Sequence, residues 1–230
     1  MLALLEHMLN QCQTDLLTHG ARCLGLALAD RHLACFSLYV EEIARWSRVT
    51  NLISQTDAET IIHKHILDSL AVSPLIPTQV RLLDLGSGAG FPGLVLAIMQ
   101  SSRDVVLIEA RRKRVSFLKE TVRRLKINNV KVYEGRAETL AKEESLRSSF
   151  AVVISRATWS LNQFLTLARP FVADRGIILS MKGPQGEKEL NDWQAFPQAS
   201  YFCLQTIFDY VLPCGKERRK AIIFAKQCLT

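Results

Sequence analysis

No run in this 230-residue chain reaches the about 18 consecutive apolar residues of a membrane-spanning helix, although 48% of its residues are hydrophobic. That apolar content is left for a core, and the length suits one large domain or a domain with an appendage. Residues 1–7 hold no basic leader and an early acid, Glu6, so no secretory signal is expected. C-x-x-C pairs are missing too. The six cysteines are scattered (Cys12, Cys23, Cys35, Cys203, Cys214, Cys228), which fits reduced thiols in the cytoplasm rather than a disulfide framework or a zinc site. His63-x-His65 invites a metal, but on a helix two such side chains point roughly 200° apart. One ion cannot take both, and no metal is expected. Internal repeats and low-complexity tracts are absent. What the chain does have is positive charge. A net charge of +7 and a pI near 9.2 point to a polyanionic partner, with nucleic acid first among them.

The most informative stretch is 80–93, Val-Arg-Leu-Leu-Asp-Leu-Gly-Ser-Gly-Ala-Gly-Phe-Pro-Gly. The apolar run 80–85 reads as a buried parallel strand. It ends in Asp84 and a loop carrying Gly86, Gly88 and Gly90. Pro92 suits the first position of a helix, and Leu94-Val95-Leu96-Ala97-Ile98-Met99 supplies the helix. Strand, glycine turn and helix make the opening unit of a nucleotide-type cofactor site, where backbone must approach the ligand closely. Gly88-x-Gly90-x-x-Gly93 also satisfies the dinucleotide fingerprint, so a nicotinamide or flavin enzyme remains a rival.

Acids at strand ends bear on that choice. The second strand, 104–109, closes in Glu109, about 20 residues past the glycines, where ribose hydroxyls are bound. That placement suits a dinucleotide or S-adenosylmethionine alike. The third strand leads to Gly135-Arg136-Ala137-Glu138, and an acid there suits an adenine amino group, a donor that needs an acceptor. Asp84 before the first glycine would repel a pyrophosphate but can hold an ammonium group. Three acids at adjacent strand ends favour a cationic sulfonium cofactor with an amino-acid tail.

The rest of the chain supplies the frame. Leu4, Leu5, Met8, Leu9, Cys12 and Leu16 recur at helical spacing, as do Leu33, Phe36, Val40, Ile43 and Trp46. Thr56-Asp57-Ala58-Glu59 reads as a capping box for a third helix with Ile62, Ile66 and Leu70 inward, stopped by Pro74 and Pro77. Residues 1–78 are therefore read as an N-terminal helical cap and 79–230 as the catalytic domain. From residue 80 strand and helix alternate: strands at 80–85, 104–109, 130–134, 150–155 and 176–181, helices at 92–101, 112–126, 138–146, 160–171 and 186–195. Such alternation implies a doubly wound α/β sheet. Two last strands, 201–210 and 220–226, are only about ten residues apart, too short for a crossover, so an antiparallel edge pair is expected. The whole is a seven-stranded mixed sheet, the layout of the Rossmann-like methyltransferase fold, where a nicotinamide-binding sheet normally stays parallel.

Other candidates carry charge. The helix after the second strand opens Arg111-Arg112-Lys113-Arg114, and cations at a helix N-terminus oppose its dipole, so an anion is expected nearby. Its inner face is Val115, Leu118, Val122 and Leu125, its outer face Arg112, Lys119, Arg123 and Lys126. Lys216-Glu217-Arg218-Arg219-Lys220 on the edge hairpin either contacts phosphates or discourages edge pairing. His65 and Asp68, three apart on a helix, are placed to pair. Arg156 and Lys182 end the fourth and fifth strands and face the crevice beyond the sheet. An arginine there can meet a carboxylate, stack on a base or grip phosphate.

Taken in order, His65-Ile66-Leu67-Asp68-Ser69, the 84–93 loop, Lys113-Arg114-Val115-x-Phe117-Leu118, Gly135-Arg136-Ala137-Glu138 and Ser155-Arg156-Ala157 resemble the RsmG (GidB) family. The resemblance spans about residues 36–183. It implies a cytoplasmic enzyme that moves a methyl group from S-adenosylmethionine to N7 of one guanine in 16S ribosomal RNA. It further implies that Gly86 and Phe91 contact the cofactor, that Glu109, Ala110 and Arg111 line its ribose side, that Ala137 and Glu138 hold the adenine, and that Arg156 closes the site. His65, Arg112, Lys113, Arg114 and Lys182 are the candidates for RNA. Two positions depart from the family's habit: Ser47 follows Trp46 where Asn is common, and Lys64 precedes His65 where Arg is common. Guanine N7 bears a lone pair and no proton, so no catalytic base or nucleophile is expected, and the sequence offers no triad. The partner is 16S RNA or the small-subunit particle, without membrane or metal, and a monomer is expected. The rivals are a small-molecule methyltransferase, a nicotinamide oxidoreductase and a non-enzymatic RNA-binding assembly factor on the same fold.

Overall fold

The structure is a computed structural model that describes residues 9–226 apart from 157, 197 and 198. Five parallel strands, β1 (Arg81–Leu85), β2 (Asp104–Glu109), β3 (Val130–Glu134), β4 (Phe150–Arg156) and β5 (Val172–Lys182), are joined through helices. They are completed by β6 (Phe202–Val211) and β7 (Arg218–Lys226). The order across the seven-stranded sheet is β3-β2-β1-β4-β5-β7-β6. β7 runs antiparallel to both β5 and β6, so the return strand slots inside and β6 forms the edge. The antiparallel ending expected from the short connection is thus present, and the connection itself, 212–217, is shorter than the sequence suggests.

Strands β1 and β2 are apolar on both faces because both faces are covered. Leu82, Val105, Leu107, Val152 and Leu179 point into one cluster, with α5 (Gly93–Met99), α6 (Arg112–Leu125) and the N-terminal helices. Their sequence neighbours Leu83, Val106, Ile108, Val153 and Ile178 point the other way, toward α8 (Leu161–Ala168) and α9 (Gly186–Gln194). This is the two-residue period of a strand turned into three layers. Edge strand β6 is mostly exposed and carries a register shift between Leu204 and Thr206, an irregularity that discourages pairing with another chain.

The N-terminal helices differ in detail from the sequence expectation. α1 (Gln11–Cys23) begins only after Asn10, whose side chain accepts from the Gln13 amide at 2.9 Å. Leu4, Leu5 and Met8 lie outside the described residues, and Leu9 precedes the helix. α2 (Asp30–Ser47) follows the expected periodicity and buries Phe36, Val40 and Ile43. The third segment is three pieces in one run: α3 (Ala58–Ile61), a π-helical stretch (Ile62–Leu67) and α4 (Asp68–Ala71). Its N-cap is Asp57, which accepts from Thr60 N–H at 2.8 Å, and not Thr56. The ionised carboxylate at 57 is the stronger acceptor for the Thr60 amide, so the cap sits one residue later than the Thr56 box. The wider π turn buries Ile61, Ile62, Ile66, Leu67 and Leu70 together, more than a single helical stripe. Leu17, Phe36 and Ile66 join the same cluster as Leu94 and Leu118, so these helices share the core of the sheet.

Further along, Pro92 stands at the N-cap and the helix starts one residue later, at Gly93. β5 begins at Val172 rather than 176, and the helix after β3, α7, is a single turn, Ala137–Leu140, rather than 138–146.

Candidate active site

Beyond the carboxyl ends of β1, β2 and β3 opens a cleft of about 310 Å³. Its walls are Gly86 from the glycine loop, Ile108, Glu109, Ala110, Arg111 and Arg114 from the end of β2 and the start of α6, residues 135–138 after β3, and Thr158 and Trp159 after β4. Six of the residues singled out in the sequence as cofactor contacts, Gly86, Glu109, Ala110, Arg111, Ala137 and Glu138, therefore share one wall system.

The loop is held open by specific bonds. Gly86 and Ser87 amides donate to the Ile108 carbonyl at 2.9 and 3.1 Å, which locks the turn onto β2. Gly86 has φ +66°, and a Cβ there would stand 2.7 Å from the Trp159 ring. Position 86 must be glycine for both reasons. Gly93 is equally constrained, since a Cβ would meet Leu107 at 2.5 Å and Asp84 at 2.7 Å. The absent side chain lets the Gly93 amide donate to Asp84 Oδ2 at 2.9 Å, placing a carboxylate at the start of α5.

Asp84 itself lies under the loop, 1% exposed, and does not line the cleft. Burial pushes its carboxyl up to about 7, against the lowering effect of the Gly93 amide, the Ser87 side chain and Arg156. Its Oδ1 is buried and has no hydrogen-bond partner. Glu109 has the opposite character. Its Oε2 accepts from the Gly88 amide at 2.9 Å and its Oε1 from the Arg111 amide at 2.8 Å, with Arg114 at 4.0 Å. This is the anion expected beside the four cations that open α6. Each carboxylate oxygen still has a second lone pair for a ligand hydroxyl. Glu138 stands exposed at the first turn of α7, at the far side of the cleft.

A second hollow of about 400 Å³ lies beyond β4, β5 and β7. The segment after β4 separates the two, with Arg156 on one side and Thr158 and Trp159 on the other. Arg156 donates to the Lys64 carbonyl (3.1 Å) and Asp68 Oδ2 (3.2 Å), and its NH2 lies 2.8 Å from His65 Nδ1. Its guanidinium also sits 4.9 Å over the Phe91 ring, on which His65 stacks at 5.0 Å. Phe91 is buried and lines neither space. Phe91 and Arg156 thus form a packed joint beside the cleft rather than part of its wall. The expected direct His65–Asp68 pairing is replaced by Arg156, which touches both. Burial, then Arg156, Lys64 and Arg219, push His65 down to about 3, so the ring is neutral.

The RNA candidates separate as well. Arg112 and Lys113 are exposed on the first turn of α6. Arg114 turns inward to the cleft between Glu109 and the Asn51 carbonyl (3.4 Å). Lys182 is 6% exposed and committed to the Trp159 carbonyl (2.6 Å) and Glu189 (2.8 Å), which withdraws its ammonium from the surface. Among the described residues no group of three or more His, Cys, Asp or Glu side chains is placed to hold a metal ion. Ala157, the last residue of the Ser155-Arg156-Ala157 run, lies outside the described residues. At the two departures from the family pattern, Lys64 serves Arg156 through its backbone carbonyl, which lysine and arginine offer alike. The Ser47 hydroxyl is buried with no partner. Trp159 and Thr158 line the cleft without any motif that marks them in the sequence. Their only signal was position just after a strand end that already carried Arg156.

Comparison with known proteins places these features. Residues 32–220 match the family model GidB, rRNA small subunit methyltransferase G. A Ribosomal RNA small subunit methyltransferase G of Syntrophus aciditrophicus (strain SB) is 37% identical over 201 residues, 86% of this chain and 83% of that protein. The protein of the same name from Geobacter sp. (strain M21) is 33% identical over 216 residues, 94% and 99% of the two chains. Among solved structures, M. jannaschii TYW2 in complex with AdoMet superposes with a TM-score of 0.55 at 17% identity, over 71% of this chain and 76% of that one. That likeness is one of fold, the Rossmann-like fold of S-adenosylmethionine-dependent methyltransferases.

Proposed function

This chain belongs to the rRNA small subunit methyltransferase G family, and from that premise we propose that it methylates N7 of one guanine in 16S ribosomal RNA. It is an S-adenosylmethionine-dependent methyltransferase. The cofactor supplies an electrophilic methyl group on a sulfonium sulfur. The residues present fit that group. A carboxylate stands at each of the three strand ends, Asp84 beneath the glycine loop and Glu109 and Glu138 on the cleft wall, and Arg114 beside the loop already faces Glu109 at 4.0 Å. The buried, unanswered Oδ1 of Asp84 is an acceptor for the ammonium of the amino-acid tail. Glu109, already oriented by two amides, is the acceptor for ribose hydroxyls, and Glu138 for the adenine amino group. Gly86 gives the backbone close approach, and Trp159 covers it. Phe91 and Arg156 act on this site from beside it, by fixing the segment that divides the cleft from the second hollow.

The target base is assigned to the second hollow. Guanine N7 needs no deprotonation, so the side chains have to bind, orient and exclude water, and none has to move a proton. A neutral His65 adds no further cation beside a purine that gains positive charge, in a hollow where Asp68 answers Arg156 and Glu189 answers Lys182. A base must leave its stack to enter, which favours an unpaired stretch of RNA, either free or in a small-subunit particle. The exposed Arg112 and Lys113 are placed to meet phosphates. We further assign the chain to the cytoplasm and to a monomer.

The observation that carries this reading is the convergence of Gly86, Glu109 and Glu138, from three neighbouring strand ends, on one cleft. The test is N7-methylguanine mapping in small-subunit RNA incubated with the purified chain and labelled S-adenosylmethionine. Label at a single guanine is expected. Cofactor binding without any transfer to RNA overturns the assignment in favour of an RNA-binding assembly factor or a small-molecule enzyme.

A further inference from the structure

The second basic cluster, Arg218-Arg219-Lys220, is left unexplained by the cofactor cleft. Guarding a sheet edge does not explain it either, because β7 lies inside the sheet between β5 and β6. Its three cations open the strand, and Lys220 is registered directly opposite Lys182 on β5. Like charges placed so are unfavourable, and each has to be answered. Lys182 meets Glu189, and Lys220 meets Asp209 at 2.6 Å. Arg219 reaches Asp68 only at 3.8 Å, and Arg218 is exposed.

These residues form one wall of a groove of about 570 Å³, whose other wall is Gly183 and Pro184 after β5 and Glu187 at the start of α9. The groove runs into the second hollow, sharing Gly183, Pro184, Tyr210 and Arg219 with it. Along both spaces stand Lys64, Arg156, Arg218, Arg219 and Lys220, against Asp68, Glu187 and Asp209, while Lys182 is already answered by Glu189. The surplus is positive and continuous from the surface to the hollow beside the cofactor cleft. The floor is firm, since the Tyr210 hydroxyl donates to Asp68 Oδ1 at 2.8 Å. Gly183 leaves open space above it, with nothing within 4 Å of where a Cβ would be.

We propose that this groove carries the phosphodiester backbone of the RNA next to the methylated guanine, with Arg218 and Arg219 as its phosphate ligands. The inference rests on the ribosomal RNA reading above and gives the strand its path into the hollow. Backbone contacts of this kind hold register without reading sequence, and they show up in the salt dependence of binding.

The test titrates a labelled single-stranded RNA containing the methylatable guanine with the full chain and with Arg218→Ala, over a range of salt. Arg218→Ala is expected to weaken binding about threefold and to flatten the log–log salt slope by about 0.7 for the phosphate lost. Arg218→Lys restores the slope, and calorimetric binding of S-adenosylmethionine stays unchanged in both. If the unaltered chain binds and methylates RNA while Arg218→Ala keeps the same affinity and slope, the groove assignment falls and the enzyme assignment stands. If the unaltered chain neither binds nor methylates RNA, the functional reading falls first. A loss seen on small-subunit particles and not on the RNA alone overturns the proposal in favour of a protein contact.

Discussion

Arg156 at the end of β4 and Asp68 at the start of α4 lie 88 residues apart in the chain and 3.2 Å apart in space. The pair is largely buried, with side-chain exposures of 16% and 6%. Asp68 also accepts from Tyr210, and Arg156 also contacts His65 and rests on Phe91. One carboxylate thereby ties the N-terminal helices, the parallel sheet and the edge hairpin together. Removing one member of a buried pair leaves the other charge unanswered, at a cost of about 3–5 kcal/mol. Asp68→Ala is expected to lose stability in that range by urea denaturation. Asp68→Asn keeps an acceptor for Tyr210 and should lose less. Equal stability of Asp68→Ala and the parent would show that the joint contributes nothing.

Gly86 and Trp159 make a second testable contact. Trp159 covers the position where any side chain at 86 would go, and the backbone there is left-handed. Gly86→Asp therefore adds strain, a clash and a negative charge in the cleft together. Calorimetric binding of S-adenosylmethionine should disappear, while far-ultraviolet circular dichroism remains that of a folded α/β protein. Binding as strong as the parent's removes Gly86 from the site.

Much of this arrangement can be read before any coordinates. β2 and β4 hold unbroken apolar runs, and β1 one interrupted only by Asp84, because both of their faces are buried, and such runs are visible in one dimension. Gly86, Glu109 and Glu138 follow from strand ends, so the residues of one cleft wall are legible too. The opposite wall is not. Trp159 meets Gly86 across more than seventy positions, and nothing local in either segment marks that contact. Charge is the least legible quantity. Arg114 and Lys182 read in the sequence as cations free to meet RNA, yet Glu109 draws one inward and Glu189 and the Trp159 carbonyl hold the other. The π turn at Ile62–Leu67 is similarly hidden, because its apolar residues fit an ordinary helix almost as well.

Arg112 and Lys113 remain outside on α6, exposed and without an acid in the first turn. Reversing both charges, Arg112→Glu with Lys113→Glu, should weaken RNA binding and flatten its salt dependence. Cofactor affinity should hold, since neither side chain lines the cleft. An unchanged salt slope would return these residues to an ordinary solvated helix face.

His65 gives a prediction in pH. Its folded value is lowered from 6.5 to about 3, by burial first and then by Arg156. Between those values the unfolded chain binds the proton that the folded chain refuses. The stability from the neutral ring is present above pH 6.5 and is lost as pH falls toward 3. At its steepest this single group contributes a slope of about 1.4 kcal/mol per pH unit. His65→Gln should flatten the fall in stability between pH 6.5 and 4, measured by urea unfolding at each pH. A parallel fall in both proteins would show that His65 titrates normally.

Asp84 shifts the other way and yields a test of where the cofactor's ammonium goes. Its folded value is raised from 3.8 to about 7, by burial. The sign is therefore opposite to that of His65. The protonated carboxyl's contribution is whole below pH 3.8 and is lost as pH rises through about 7, where the buried group must ionise. A cation brought to the unanswered Oδ1 reverses that balance by favouring the ionised form. Binding of S-adenosylmethionine at pH 6.5 should then expel a proton from Asp84. Calorimetry in two buffers of different ionisation enthalpy would show it as a buffer-dependent heat, and affinity should fall as pH drops from 7 to 6. Asp84→Asn keeps an acceptor for the Gly93 amide but has no proton to lose, so the heat attributable to that proton should vanish in the variant. The variant also separates Asp84 from the cofactor's own amine, which titrates alike in both proteins. Identical heats in the two buffers for the parent chain would mean that the ammonium is held elsewhere, and that Asp84 serves only to start α5.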